Sequence, residues 1–427
     1  MDGYVPTYDV ATGKFTWVAQ GGGAILGDEP TGFLTRTTST ISFNDGTRIL
    51  TIEPAVTGGS FTYYIDGTEY VKSTAQTVEI TDTEGIWYIY FEGATLTATQ
   101  TFSADIILAK GYVCALYWNA TNNLAIYLGE ERHGLVMDGI THKYLHQTRG
   151  TQYISGLLID NITTDGSGAL DAHAQIGITN GVIADEDIEI TITDDTPQAL
   201  ETVAQIPVYY KDGASGYWRK STATNFPVKS YSGGSGRLAY NQFTGGAWQQ
   251  TEVADGGYVY CHIFATNDLN NPIISVQGQN TYTSLITMRE NASAEISSLV
   301  TAGMPFQEFV LIASIIYQTN NTYSNTVKAR TRKTSGDDYL DWRFDEITPV
   351  STTITDHSNL SGLTDPDHPA SAIYTNITNF DKFLSSADDT VQKALETLDN
   401  LKVFPVDLEA TNSPSTDLIP KYDSGTG

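Results

Sequence analysis

Residues 59–73 read GSFTYYIDGTEYVKS. Phe61, Tyr63 and Ile65 alternate with Thr62 and Tyr64, the period-two pattern of a strand with one dry face. Asp66-Gly67 then supplies the dipeptide that a two-residue hairpin turn requires. The same grammar extends to either side. STISFNDGTRILTIEP (39–54), QTVEITDTEGIWYIYFEG (76–93), ATLTATQTF (94–102) and DIILAKGYVCALYWNATNNLAIYLG (105–129) are strand-like runs, with NDGT and NATNN at hairpin positions. Residues 39–130 are therefore expected to form an antiparallel β-sandwich.

The rest of the chain divides by the same signals. Residues 1–20 read as a docking hairpin and 21–38 as a glycine-rich linker. A connector at 131–150 leads to a β-rich middle domain at 151–235 and a second sandwich at 236–346. Residues 347–405 hold a turn-rich loop and a short helix, and 406–427 an assembly segment. The close of the second sandwich, FVLIASIIYQTNNTYSNTVKAR, parallels 105–128, which suggests a duplicated domain. One hairpin type recurs three times: Pro6, Tyr8, Asp9, Gly13 and Trp17; Pro207, Tyr209, Asp212, Gly216 and Trp218; Pro420, Tyr422 and Asp423. The third copy stops before its return strand, so we expect its strand to be completed by another chain.

Composition narrows the function. Of 427 residues, 50 are acidic and 23 basic, giving a formal charge of -27. Nucleic acid and anionic membranes are poor partners for such a surface. Tyrosine (25) and glycine (38) are abundant, as in proteins of many short strands joined by tight turns. The two cysteines, Cys114 and Cys261, sit in apolar runs and read as buried strand residues, not as a disulfide framework. The first residues lack the pattern of a signal peptide, and no apolar run is long enough to span a bilayer. The expectation is a soluble protein made in a reducing compartment.

Catalytic motifs are not found: there is no nucleophile elbow, Walker loop or His-Glu-x-x-His. His133, His142 and His146 cluster in the connector. Their spacing matches no standard metal site and no cysteine assists, so the segment reads as a solvated helix or loop. Asp185-Glu186-Asp187 could bind calcium or serve a glycosidase, but strand-edge solvation is the preferred reading. Trp87, Trp118, Trp218 and Trp248 could stack on sugars; each lies in or beside a strand pattern, which favours the core. The clearest helix is LSSADDTVQKALETLDNLK (384–402). Ser386 and Asp389 fit its capping box, and Val391, Leu395, Leu398 and Leu401 form an apolar stripe suited to a bundle around a symmetry axis.

Two segments in this tail carry a family resemblance. DHSNLSGLTDPDHPASAIY, with Asp356, His357, Leu360, Gly362, Leu363, Asp365, Asp367, His368 and Pro369, resembles a segment that recurs in fibre and appendage proteins of tailed bacteriophages. FLSSADDTVQKALETLDNL is similar to the helix that commonly follows it; in the first segment Ala370-Ser371 replaces the usual Gln-Tyr after His-Pro. The resemblance implies a homotrimeric structural virion protein, assembled in the host cytoplasm, in a tail fibre or fibre-like appendage. A head or neck fibre is the alternative within that class. It implies no enzyme activity and no cofactor; partners would be its own copies, other tail or head proteins, and a host surface glycan or receptor. Axis-facing histidines hold metal in some fibres, which makes His357 and His368 metal candidates, with turn capping preferred. A glycan-binding module or depolymerase is the rival from another class. The fold expected is thus mainly β: tandem sandwiches, hairpins and a short C-terminal helix in a trimer.

Overall fold

A computed structural model describes residues 30–344, the strand backbones Tyr4–Asp9 and Lys14–Ala19, and Lys393. It is mainly β, with 46% strand and 11% helix in several antiparallel sheets. The chain divides into two compact units, Met1–Ser351 and Thr352–Gly427. The elements below belong to the first.

In chain order the strands begin with β1 (Tyr4–Asp9), β2 (Lys14–Ala19), β3 (Gly32–Phe33), β4 (Ser39–Asn44), β5 (Ile49–Pro54), β6 (Phe61–Ile65), β7 (Thr68–Lys72), β8 (Gln76–Glu79), β9 (Gly85–Glu92) and β10 (Thr95–Thr99). Helix α1 (Asp105–Leu108) precedes β11 (Gly111–Asn119) and β12 (Leu124–Glu130), and α2 (Gly139–Thr148) follows. Next come β13 (Gln152–Gly156), β14 (Ile159–Asp160), β15 (Gly177–Ile178), β16 (Gly181–Asp185), β17 (Ile188–Asp194), β18 (Pro197–Gln198), β19 (Val208–Asp212) and β20 (Tyr217–Lys220). The unit closes with β21 (Ala239–Thr244), β22 (Ala247–Glu252), β23 (Tyr258–Thr266), β24 (Ile273–Tyr282), α3 (Leu285–Glu290), α4 (Ala292–Ser298), β25 (Phe309–Thr319), β26 (Ala329–Arg332) and β27 (Leu340–Asp341).

The hairpin at 59–73 forms as its sequence dictates. In β6, Phe61, Tyr63 and Ile65 are buried and the residues between them less so. Ile65 pairs with Thr68 across the turn, and Asp66 and Gly67 both take positive φ (47° and 70°), as a primed two-residue turn demands. Tyr63 stacks on Phe91 of β9 at 4.2 Å between ring centroids. Here β6 joins β3 and β7 in one sheet, β4, β5 and β8 make a second, and β10-β9-β11-β12 a third. Leu50, Ile52, Phe61, Tyr63, Phe91, Cys114, Leu116 and Trp118 fill the core they share.

Strand β11 is buried along its whole length because it faces two cores. Cys114, Leu116 and Trp118 point into the first; Ala115 and Tyr117 point into a second. That second core is closed by one face of the largest sheet, β20-β19-β24-β23-β25-β26 with β27 on β25, through Tyr209, Trp218, Tyr260 and Phe264, and by Met288 and Ile296 of the short helices. The opposite face of the same sheet, Val259, Cys261 and Ile263, packs on Leu157, Ile178, Ile183, Ile192 and Leu200. The boundary expected at 235/236 therefore runs through one sheet, since β19 and β20 pair into it beside β24.

Both cysteines are buried, unpaired strand residues. Trp87, Trp118 and Trp218 are buried, whereas Trp248 is half-buried. The middle hairpin copy is antiparallel, with Lys211 opposite Trp218. The N-terminal copy pairs Pro6 with Trp17, Tyr8 with Phe15 and Asp9 with Lys14; Gly13 lies outside the described residues. Thr121-Asn122-Asn123 lie in the turn after β11 and Thr319 ends β25, but Ile107-Leu108 are helical whereas Leu311-Ile312 lie within a strand.

Candidate metal centre

Four separate segments bring their polar side chains to one buried point. The first is the continuation of β12. Alternation sends Glu130 and Arg132 to one side and Glu131 and His133 to the other. Arg132 clamps Glu130 in bidentate fashion (Nε to Oε1 2.7 Å, Nη2 to Oε2 2.5 Å) and donates to Ser39. This pins the backbone so that Glu131 and His133 stay on the far side. Glu131 is held by one oxygen only, which accepts from Asn267 Nδ2 at 3.2 Å.

The second segment is α2. Asp138 caps it, accepting from the Thr141 amide at 2.8 Å, which holds the Asp138 carboxyl below its ordinary range. Gly139 lets the helix lie directly on α1: a β-carbon there would fall 2.3 Å from the Leu108 carbonyl oxygen. His142 and His146, one turn apart, share the inward face. Ile140 and Tyr144 occupy the exposed one.

The third is the β16–β17 hairpin, where Asp185 pairs with Ile188 across the two-residue turn Glu186-Asp187. Glu186 sits at φ 45°, a left-handed conformation uncommon for glutamate. The fourth is Glu308, just before β25, whose Oε2 accepts from Thr151 Oγ1 at 2.7 Å.

These donors face one another at distances too long for hydrogen bonds. His133 Nε2 lies 3.5 Å from Asp185, 3.8 Å from Glu186 and 3.9 Å from Glu131. His142 Nε2 is 3.9 Å from Glu186 Oε2. His146 Nδ1 is 3.6 Å from Glu186 Oε1 and 3.4 Å from Glu308 Oε1. Seven buried atoms here have no hydrogen-bond partner: Glu131 Oε2, His133 Nε2, His146 Nδ1 and both oxygens of Asp185 and of Glu186. They are half of all such atoms among the described residues, gathered in one place. His133 differs at its other nitrogen, where Nδ1 meets Asp187 Oδ1 at 2.8 Å, while Asp187 Oδ2 accepts from the Gly134 amide.

Crowding distorts the ionisation of His133, His142, His146, Asp185, Glu186 and Glu308. Burial opposes charge on His133, but the carboxylates of Asp185, Asp187 and Glu131 outweigh it and hold the imidazole well above its ordinary range. Burial likewise opposes His146, yet Glu186 and Glu308 lift it to about 9. His142 is driven down to about 3 by burial and the neighbouring His133 charge. Burial and the charge of Glu308 push Asp185 well up. Burial raises Glu308 to about 7 against the pull of His146. For Glu186 burial is outweighed by His146 and Asp185, leaving it at about 2.

Two readings from the sequence are thereby corrected. The connector does hold a helix, but it is not solvated on the histidine face: His133 and His142 are buried, and the His146 side chain is 23% exposed. Asp185-Glu186-Asp187 is no solvated strand edge, because the turn is tucked under α2, with Asp185 fully buried. Glu131 and Glu308, absent from the sequence reading, complete the set. A second buried network, His262 with Ser314 and Glu295, differs in kind. There Glu295 accepts from Tyr282 and Asn280, both at 2.8 Å, and Trp342 donates to Ser314. Its hydrogen bonds close on themselves apart from His262 Nε2.

Several expected sites fall outside the described residues: the fibre segment Asp356, His357, Leu360, Gly362, Leu363, Asp367, His368 and Pro369; the stripe Val391, Leu395, Leu398 and Leu401; and Pro420, Tyr422 and Asp423. No helix among the described residues is long and apolar enough to cross a membrane. No known family, curated protein or solved structure matches the chain.

Proposed function

We propose that the chain is a structural virion protein of a tailed bacteriophage, a tail fibre or fibre-like appendage whose body of stacked sheets works as a homotrimer. One observation carries this reading: the Asp356–Pro369 and Leu384–Asp399 segments, which resemble the paired segments of such proteins, follow in the chain a body of antiparallel sheets. Its work is then mechanical. Strand pairing and apolar burial between copies would build the appendage in the host cytoplasm and link it to tail or head proteins, or to a host receptor. Light scattering of the purified full chain, with negative-stain imaging, tests it. An elongated particle of three times the 46.4 kDa chain mass is expected; a compact monomer would refute it. Labelled antibody on intact particles distinguishes a tail from a head or neck position.

A glycan-binding reading has one observation in its favour. At the β21–β22 hairpin Phe243 is exposed and its ring lies 5.5 Å from that of Trp248, with Lys211 Nζ 5.7 Å from the indole. The rings are tilted by 54°, so one face of the pair can stack on a sugar ring. Binding to a glycan array that is lost in Trp248→Ala would favour this role.

A further inference from the structure

We propose that Glu131, His133, His142, His146, Asp185, Glu186 and Glu308 bind a pair of divalent first-row transition-metal cations, bridged by the carboxylates of Asp185 and Glu186. The inference stands independently of the appendage reading.

Donor spacing is the first argument. Two metal–ligand bonds of about 2.1 Å meeting at the tetrahedral angle set their donor atoms roughly 3.4 Å apart. The nitrogen–oxygen separations here run from 3.4 to 3.9 Å, wider than hydrogen bonds and close to that edge. Seven of the nine donor atoms, all but His142 Nε2 and Glu308 Oε1, are moreover atoms left without partners. Buried polar atoms are normally satisfied, so a concentration of orphans aimed at one another marks a missing positive partner.

Charge is the second. Five carboxylates, Glu131, Asp185, Glu186, Asp187 and Glu308, converge on three imidazoles in a buried place. With all five ionised, as ligation requires, even three protonated histidines would leave two negative charges unbalanced, an expensive arrangement away from water. Two divalent cations with neutral histidines leave one.

Geometry divides the donors into two sets. His133 is shared by two overlapping groups, one with His142 and Glu186 and one with Glu131 and Asp185, which together make the first position; His146, Asp185 and Glu308 make the second, with Glu186 Oε1 3.6 Å from His146 Nδ1. Asp185 belongs with His133 and Glu131 on one side and with His146 and Glu308 on the other. Both its oxygens are unpartnered, as a bridge requires.

Asp187 is a positioning residue. Bonded to His133 Nδ1, it fixes the tautomer that presents Nε2 as a lone pair. Glu186 accepts a left-handed backbone that places both carboxylate oxygens in the centre, strain of the kind found at functional turns. Imidazole with carboxylate and no thiolate selects manganese, iron or zinc over calcium and magnesium, which prefer oxygen alone. The enclosure, with only His146 appreciably exposed among the histidines, suits a cross-link. It ties β12, α2, the β16–β17 hairpin and β25 together.

The test uses the full chain, stripped with chelator and reloaded with Zn2+ or Mn2+, followed by elemental analysis after dialysis. Two equivalents per chain are expected, with Mn2+ giving the electron paramagnetic resonance spectrum of a coupled pair. One equivalent would overturn the pair, and none, in protein that retains its β-sheet circular dichroism, would overturn the site. Glu308→Gln should retain one cation and Asp185→Asn should weaken binding at least tenfold. Asp187→Asn should keep the stoichiometry but lower affinity about 10–100-fold; unchanged loading in all three would refute the assignment. Titration of the unaltered, stripped chain decides the matter if a variant fails to fold.

Discussion

Replacing Gly139 with alanine perturbs the centre without touching a ligand. The added β-carbon would sit 2.3 Å from the Leu108 carbonyl oxygen and 3.0 Å from its carbon atoms. Ordinary contact needs about 3.5 Å, so α2 must retreat from α1 by roughly 1 Å. The movement carries His142 and His146 with it, since both ride on the first two turns of the same helix. Helix propensity alone predicts the opposite sign, a gain of up to about 1 kcal/mol for alanine over glycine. Overpacking costs about 1–3 kcal/mol, and backbone, unlike a flexible side chain, cannot step aside. We expect a net loss of about 1–2 kcal/mol. At about 2.1 cal/mol/K per residue, the 351 residues of the first unit give an unfolding entropy near 0.7 kcal/mol/K. Each 1 kcal/mol then moves Tm by about 1.4 °C, so Gly139→Ala should melt roughly 1.5–3 °C lower and bind Zn2+ at least tenfold more weakly. Calorimetry and a competitive chelator titration read the two effects. An alanine variant as stable as the parent and equally loaded would refute the reasoning.

Other outcomes follow from the same geometry. Chelation should lower Tm by about 7 °C relative to protein in free cation a hundredfold above the Kd of both sites, which corresponds to ~2.7 kcal/mol of linkage per site; a scan that does not move speaks against a stabilising ion. Cation binding should release protons at pH 7.5. His133 and His146 are held protonated there, the latter by its rise to about 9, and both must become neutral to ligate. Isothermal titration in buffers of different ionisation enthalpy should count about two protons or more, and proton uptake would contradict this. Trp118→Ala, which empties a fully buried site and removes the indole now 2.8 Å from the exposed Asp82 carboxylate, should cost about 3–5 kcal/mol by denaturant titration; a cost under about 1 kcal/mol would mean the site is not packed as described.

Much of the fold could be read from local pattern. The turn at Asp66-Gly67, the alternation around it and the hairpin at 207–218 are properties of short segments, and all three form. The sharing of one sheet across 235/236 could not be read this way, because β19 pairs with β24 in parallel, across a long separation. Apolar strands buried on both faces, such as β11, carry no alternation to reveal which cores they serve. The metal centre divides along the same line. His142 and His146, four apart on a helix, and the Asp185-Glu186-Asp187 turn are local signals, and each was visible. What hid the site is that neither half suffices alone. Glu131 is an unremarked acid in the approach to a connector, Glu308 stands at the start of a distant strand, and only tertiary pairing brings them together. Excess acidity disguised it further, since 50 acidic side chains give no reason to single out five.

Anomalous diffraction from zinc-soaked crystals of the full chain tests the central claim most directly. Two peaks at the zinc edge are predicted, about 3.5–4 Å apart, one bounded by His133 and His142 and the other by His146 and Glu308. Featureless anomalous density there, with the same side chains in place, would contradict it.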